Sequence, residues 1–442
     1  MEKLLTRRIS RVLNAVLEIN RNALSIAATL DAERTNGTIR SALHGVPILI
    51  KDNIATIDQN NTAGSYSLLG AKVPRDATVA AKLRSAGIII LGKTNLSQWS
   101  DYRSSNSSNG WSAIGGQVAG AYFPNMDPSG SSSGSGVSSS IGLAFASLGT
   151  ETDGSILSPA SVNNLVGIKP TVGLTSRSLV IPISEHQDTV GPMARSVSDA
   201  AYILSIIAGK DEFDNYTLSQ PWDTPPDYTR SLKFDSLRGV RIGIPRNSIM
   251  PDNTSQPILN AFTAAIQVIK NAGAVIVENT NYSAWDEFVA DVYADVGNGS
   301  IVLGADIVSG ISKYLGQLTT NPHNVTSLVD IMNFTRSFPL ENYPERNTAA
   351  WDKALSLTYN NSDFRFWQAY QFTSYFGGEG GVTGALKKHN LDALILPTRW
   401  STDLPAAGGL PVITVPMGFY PSNTTISKSP DWGLVEAGPN IP

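Results

Sequence analysis

Twice in this chain an amphipathic helical pattern stops at a glycine and passes at once into a short apolar run. That unit constrains the fold more than any other feature of the 442 residues. In its first occurrence Asp76 is placed to cap a helix with Val79, Leu83 and Ala86 on one face; Gly87 ends it, and Ile88–Leu91 reads as a buried strand. In the second, Ser255 and Pro257 open a helix with Ile258, Phe262, Ile266 and Ile269 inward, and Gly273 separates it from a strand at Ala274–Glu278. A further helix starts at Ser196, with Asp199 three residues on, and ends at Gly209; Ala200, Ile203, Leu204 and Ile207 form its stripe. Strands are expected at Val46–Ile50, Val240–Ile244, Ala393–Leu396 and Val412–Val415. Helices alternating with buried strands bury their apolar faces as α/β layers. The polar stretch 210–235 reads as a surface loop rather than a linker, so one domain over 1–442 is expected.

Composition removes several chemistries. Cysteine is absent, which excludes disulfide scaffolds, thiol nucleophiles and Cys-ligated metals. The four histidines, His44, His186, His323 and His389, are scattered and lack metal-ligand spacing, so no metal is expected. Net charge is −4, so no basic field suits nucleic acid. No apolar run is long enough for a membrane-spanning helix. The residues left for catalysis are hydroxyls, carboxylates and amines. The N-terminus, Met1 to Arg8, shows no signal-peptide core, yet Asn-x-Ser/Thr sequons occur at twelve positions, Asn36, Asn95 and Asn253 among them. A secreted glycoprotein supplied without its leader and a cytoplasmic protein both fit.

Four stretches carry candidate chemistry. Gly87 to Thr94 spells a phosphate-loop pattern, but three isoleucines and a leucine between its glycines make it a strand, and nucleotide binding is rejected. Residues 129–140 hold eight serines and three glycines. Val137, Ile141, Ala144, Phe145 and Leu148 recur after them at helical spacing, so the run is read as a tight turn feeding a closely packed, small-sided helix. Within it Gly130-Ser-Ser132-Ser-Gly134 also fits a nucleophile elbow, with Ser132 attacking and His186 as base. The third stretch, Gly149-Thr-Glu-Thr-Asp-Gly-Ser155, is a polar loop whose amides could converge beside Ser155 as an oxyanion hole requires. The fourth places Lys51 at the end of an apolar strand. Burial there disfavours the ammonium, and a neutral lysine can serve as base to a serine.

Together, Lys51 after Gly45-Val-Pro, the Gly/Ser run, Gly149-Thr-Glu-Thr-Asp-Gly-Ser-Ile156, Val166-Gly-Ile-Lys-Pro-Thr171 and Gln187-Asp-Thr-Val-Gly-Pro-Met-Ala-Arg195 resemble the amidase signature family, most of all its peptide amidases and their fungal relatives. Ser131 and Ser155 stand 24 residues apart, as that family's two catalytic serines do. The resemblance is densest over 44–196, the implied catalytic core. It implies Ser155 as nucleophile, Ser131 as a bridging serine in a cis peptide, and Lys51 as base. It also implies the N–H groups of Thr152, Asp153, Gly154 and Ser155 as the oxyanion hole. The implied fold is a single α/β domain, a mixed twisted sheet of about eleven strands flanked by helices. Relatives extend beyond both ends of this sequence, so a version shortened at both ends is expected, and Thr398–Leu410 is compressed. Gly64, Ser65 and Thr94 are the implied substrate contacts. Leu157 and Ser158 stand where many relatives carry arginine, which favours an uncharged amide.

The expected activity is therefore hydrolysis of a neutral carboxamide, a peptide C-terminal amide being one candidate, through an acyl-enzyme and without cofactor. The expected partner is that small-molecule or peptide amide; the oligomeric state stays open. Two alternatives remain: an esterase-like hydrolase using Ser132 and His186, and a silent binding protein on the same fold.

Overall fold

The computed structural model describes residues 13–250, 254–294 and 297–442. The Met1 to Arg8 stretch and the sequon at Asn253 lie outside the described residues. Asn95, another sequon, is fully buried, which bars it from carrying a glycan in the folded chain.

Seven strands form the central mixed sheet. In chain order they are β1 (Val16–Ile19), β2 (Pro47–Lys51), β3 (Ile89–Thr94), β4 (Ala146–Glu151), β5 (Val166–Lys169), β6 (Thr189–Ala194) and a last strand at Val412–Thr414. Their spatial order is β1, β3, β2, β4, β6, β5 and the last strand. The centre is parallel: Lys51 pairs with Thr94 on one side, and Ile50 with Leu148 on the other. The flanks are antiparallel, with Glu151 opposite Thr189. Strands buried on both faces read as continuous apolar runs, which is how Ile48, Leu49 and Ile50 stand out in the sequence.

The helix–glycine–strand units are present. Thr78–Ser85 is helical and buries Val79, Ala80 and Leu83; Gly87 takes the left-handed conformation that turns the chain into β3. Asp76 does not cap this helix, however; its carboxylate accepts from the Ile57 N–H and pairs with Arg84. The helix Val197–Ile207 is capped as expected, Ser196 Oγ accepting from the Asp199 N–H. The second unit comprises helix Gln256–Asn271 and strand Val275–Glu278, with Phe262 the buried residue of the expected stripe.

The strand count differs from the expected eleven. Arg241–Ile244, Val275–Glu278 and Ala393–Leu394 pair among themselves as a separate parallel three-stranded sheet. The segments that follow its Ala393–Leu394 edge meet the seven-stranded sheet through a side-chain bond, Thr398 to Thr414 at 2.8 Å, instead of a backbone ladder.

The Gly/Ser run forms the helix α1 (Ser133–Ser140), shorter than its apolar spacing suggested. Gly142 adopts positive φ and ends it, so Phe145 and Leu148 belong to the entry and body of β4. The small side chains have a packing reason. A Cβ on Gly134 would lie 2.3 Å from the Ala15 carbonyl oxygen and 2.5 Å from that of Asn95. α1 therefore sits directly on backbone, and its seven N-terminal residues are all buried.

Candidate active site

Three segments converge at the C-terminal ends of β2 and β4. Lys51 closes β2 and has no exposed surface. Its Nζ lies 2.8 Å from Ser131 Oγ, 2.9 Å from Thr150 Oγ1 and 3.2 Å from the Thr150 carbonyl oxygen. Burial lowers the amine to about 7, against the raising influence of Asp188, Glu151 and Asp101 in that order. Near neutral pH a large fraction is thus uncharged, with a lone pair beside the Ser131 hydroxyl.

Ser131 is held from its backbone. The Gly130–Ser131 peptide is cis. The Ser131 carbonyl accepts from the Ser97 N–H at 3.0 Å, and the next residue's N–H, on Ser132, donates to the Ser155 carbonyl at 3.1 Å. That bond sets the bridging segment beside Ser155. The Ser155 hydroxyl itself has no hydrogen-bond partner among the described residues, and the side chain retains 8% exposure.

The loop from Thr152 to Ser155 is shaped by two carboxylates. Glu151 is buried; its Oε1 accepts from the Gly154 N–H at 2.9 Å, and its Oε2 from Ile156 and Leu157 at 2.7 and 2.9 Å. Burial raises its pKa, while Lys169 and these amides favour the charge. Asp188 accepts the Thr152 hydroxyl at 2.6 Å. The Gly154 amide is consequently taken, a correction to the expected four-amide hole. The N–H groups of Thr152, Asp153 and Ser155 have no partner among the described residues. Asp153 is exposed at the surface, yet the protein packed around its carboxyl, together with the Asp403 and Glu151 carboxylates, raises it above the ordinary range.

The residues expected to touch substrate are placed differently. Ser65 and Thr94 have no exposed surface. The Ser65 hydroxyl donates to Glu341 at 2.8 Å, and Thr94 Oγ1 bonds Ser135 Oγ at 2.7 Å. Gly64 is buried, its N–H directed at Asp52. All three are therefore buried and engaged within the protein.

The elbow reading also fails on geometry. Ser132 Oγ is tied to the backbone of Thr150, donating to its carbonyl and accepting from its N–H. His186 Nδ1 bonds Asp306 Oδ2 at 2.8 Å, and its ring packs among Tyr216, Phe366, Trp367 and Tyr370. Glu185, His186 and Asp306 form the one group of metal-capable side chains among the described residues. Its carboxylates already accept from Ser184, His186 and Asn361, so it is a satisfied polar cluster. Lys93, in the rejected phosphate pattern, is wholly buried and donates to Asn61 and the Ile54 carbonyl.

The family model described as Amidase matches residues 3–426. This chain belongs to the amidase family. It is 53% identical, over 98% of its length and 72% of the relative's, to an Arthroderma benhamiae protein that bears an amidase name. A Schizosaccharomyces pombe protein, also named as an amidase, is 38% identical over 93% of this chain and 74% of its own. The native peptide amidase of Stenotrophomonas maltophilia superposes with a TM-score of 0.85 at 37% identity, covering 95% of this chain and 85% of that one. The protein is thus an α/β amidase acting on C–N amide bonds. No helix among its described residues is long and apolar enough to cross a membrane.

The structure adds residues to this amidase's site that were not singled out in the sequence. Thr150 and Asn53 hold Lys51's surroundings, Asn53 Nδ2 donating to Thr150 Oγ1 at 2.9 Å. Glu151 and Asp188 lie inside quoted motifs, and a buried carboxylate beside a glycine-bearing loop was the available signal. Without partners for its oxygens, that signal has no direction.

Proposed function

We propose that this amidase hydrolyses an uncharged carboxamide through a covalent acyl-enzyme, with Ser155 as nucleophile, Ser131 as proton bridge and Lys51 as base. The observation that carries the reading is the 2.8 Å contact between a buried, largely neutral Lys51 amine and the Ser131 hydroxyl. As Ser155 Oγ attacks the amide carbon, its proton passes to Ser131, whose own proton passes to Lys51. The developing oxyanion is met by the unpaired N–H groups of the 152–155 loop, a contribution of about 3–4 kcal/mol per donor. Collapse breaks the C–N bond as Lys51 returns the proton through Ser131 alone to the departing nitrogen, Ser155 now being held as the acyl ester, and ammonia or an amine leaves. Water then attacks the acyl-Ser155 ester by the same relay. General acid–base assistance of this kind is worth about 10²–10⁴ in rate.

Leucine at 157 and serine at 158 leave no guanidinium just beyond the nucleophile, which supports a neutral substrate. Peptides with C-terminal amides are the substrate class favoured here, in keeping with the structural likeness to a peptide amidase. The test is ammonia release from a panel of simple amides, amino-acid amides and C-terminally amidated peptides. Turnover abolished in Ser155→Ala supports the reading. Turnover that survives in Ser155→Ala and disappears in Ser132→Ala overturns it.

A further inference from the structure

We propose that Asp188 is a positioning residue for amide cleavage: its carboxylate fixes the Thr152 end of the nucleophile loop to the Ile183 and Ser184 turn, and its charge acts on Lys51. The inference rests on the assignment of Lys51, Ser131 and Ser155 above.

Asp188 is buried and stands immediately before β6, at the junction of three segments. Its Oδ1 takes the Thr152 hydroxyl at 2.6 Å. Its Oδ2 takes the N–H groups of Ile183 and Ser184 at 2.8 and 3.1 Å. Close by, the Thr189 hydroxyl donates to the Glu151 carbonyl, stitching β6 to the end of β4. The Ile181 N–H donates to the Asn53 carbonyl, stitching the same turn to the exit of β2. The carboxylate therefore ties Thr152 to the Ile183 and Ser184 turn, and neighbouring bonds join that turn and β6 to the exits of β2 and β4.

No cation bonds this carboxylate. Arg177, whose charge favours the ionised form, spends its guanidinium fork on Asp214 and does not hydrogen-bond Asp188. Burial pushes Asp188 up to about 6, opposed by Thr152, Ile183, Arg177 and Ser184. The charges facing Lys51 are Asp188, Glu151 and Asp101, with Asp188 the strongest. Lys169 favours the charge on Glu151, while burial raises Asp101, opposed by Lys51 and reinforced by Asp127. Asp188 is offset by hydrogen bonds and by Arg177 at longer range, with no hydrogen-bonded cation among the described residues. Its ionised form makes Lys51 hold its proton more tightly, so the charge opposes the base while the geometry serves it.

Two substitutions separate these effects. Thr152→Val deletes the hydroxyl bond and leaves the charge. Its kcat should fall about 10- to 100-fold with KM little changed and the acid limb of the pH profile unmoved. Asp188→Asn keeps an acceptor for Thr152 and removes the charge. Its acid limb of kcat/KM should move to lower pH by about one unit, because the neutral amine then persists in more acidic solution. A purely structural loss would lower the plateau and leave the limb in place. Wild-type kcat in Thr152→Val, or an unshifted limb in a folded Asp188→Asn, overturns the proposal. If Asp188→Asn does not fold, the kcat-against-KM split in Thr152→Val decides: kcat lowered at unchanged KM in a protein of wild-type urea midpoint supports positioning, and wild-type kcat overturns it. Ser155→Ala, run alongside, distinguishes this failure from failure of the underlying mechanism: persistent turnover there removes the mechanism whatever position 188 does.

Discussion

A lysine with no exposed surface is a costly residue to retain, and Lys51 is retained with three oxygen acceptors around its nitrogen. None of the three is a carboxylate, so the amine is solvated without being locked as an ion pair. With the uncharged form as the proposed base, kcat/KM should be lost as pH falls through about 7 and reach a plateau above it. A profile flat from pH 5 to 9 would refute that role. Lys51→Met should lower kcat by about 10²–10⁴ while the protein stays folded, which circular dichroism can check. His186→Gln should leave the position of the acid limb unchanged, since His186 is engaged with Asp306 among aromatic rings. The approach of Lys51 to Ser131 was legible in the sequence because both sit at fixed places in short motifs. The fate of the Gly154 amide was not, because it depends on which way the Glu151 carboxylate points.

At the scale of elements, the loop that holds Ser155 is shaped by what lies behind it. α1 rests on backbone at Gly134, so Gly134→Ala should cost about 1–3 kcal/mol or more, read as a lowered urea midpoint. The wall that includes Ser65 hangs on Glu341, which has no exposed surface and accepts from Ser65, Tyr66, Gln98 and Arg103. Glu341→Ala would leave Arg103 buried without its carboxylate and should cost about 3–5 kcal/mol. A loss under 1 kcal/mol in the same denaturation experiment would contradict this. The Ser196 cap and the glycine stop at Gly87 were legible here because such signals are local, whereas Asp76 is drawn away from its expected cap by Ile57 and Arg84. The misplaced substrate contacts were not: Ser65 meets a partner 276 residues away, and no spacing rule reaches that far. The helix proposed to continue through Phe145 failed for a local reason, as Gly142 outweighs an apolar period that a following strand mimics.

Across the whole molecule, Lys51, Lys93 and Lys169 are all buried, and burial lowers them to about 7, 8 and 8 from an ordinary 10.5. Between those values and 10.5 the unfolded chain binds more protons than the folded one. Their contribution to stability is therefore complete above about pH 10.5 and is lost as pH falls through the folded values. Lys93→Met should flatten the pH dependence of unfolding between about 8 and 10.5, measured by urea titration at several pH values. The α/β layering was legible from alternating periodicities. The division into a seven-stranded and a three-stranded sheet was not, since pairing partners are set by long-range packing. What this architecture achieves is to bring β2, α1 and the end of β4 to one point, with the other strands supporting them from the sides. The most direct measurement of whether that point is the reactive centre is peptide mapping after reaction with a fluorophosphonate probe. The account predicts a single modified residue, Ser155, with labelling sharply slowed in Lys51→Met; a label on Ser132 with Ser155 unmodified would contradict it.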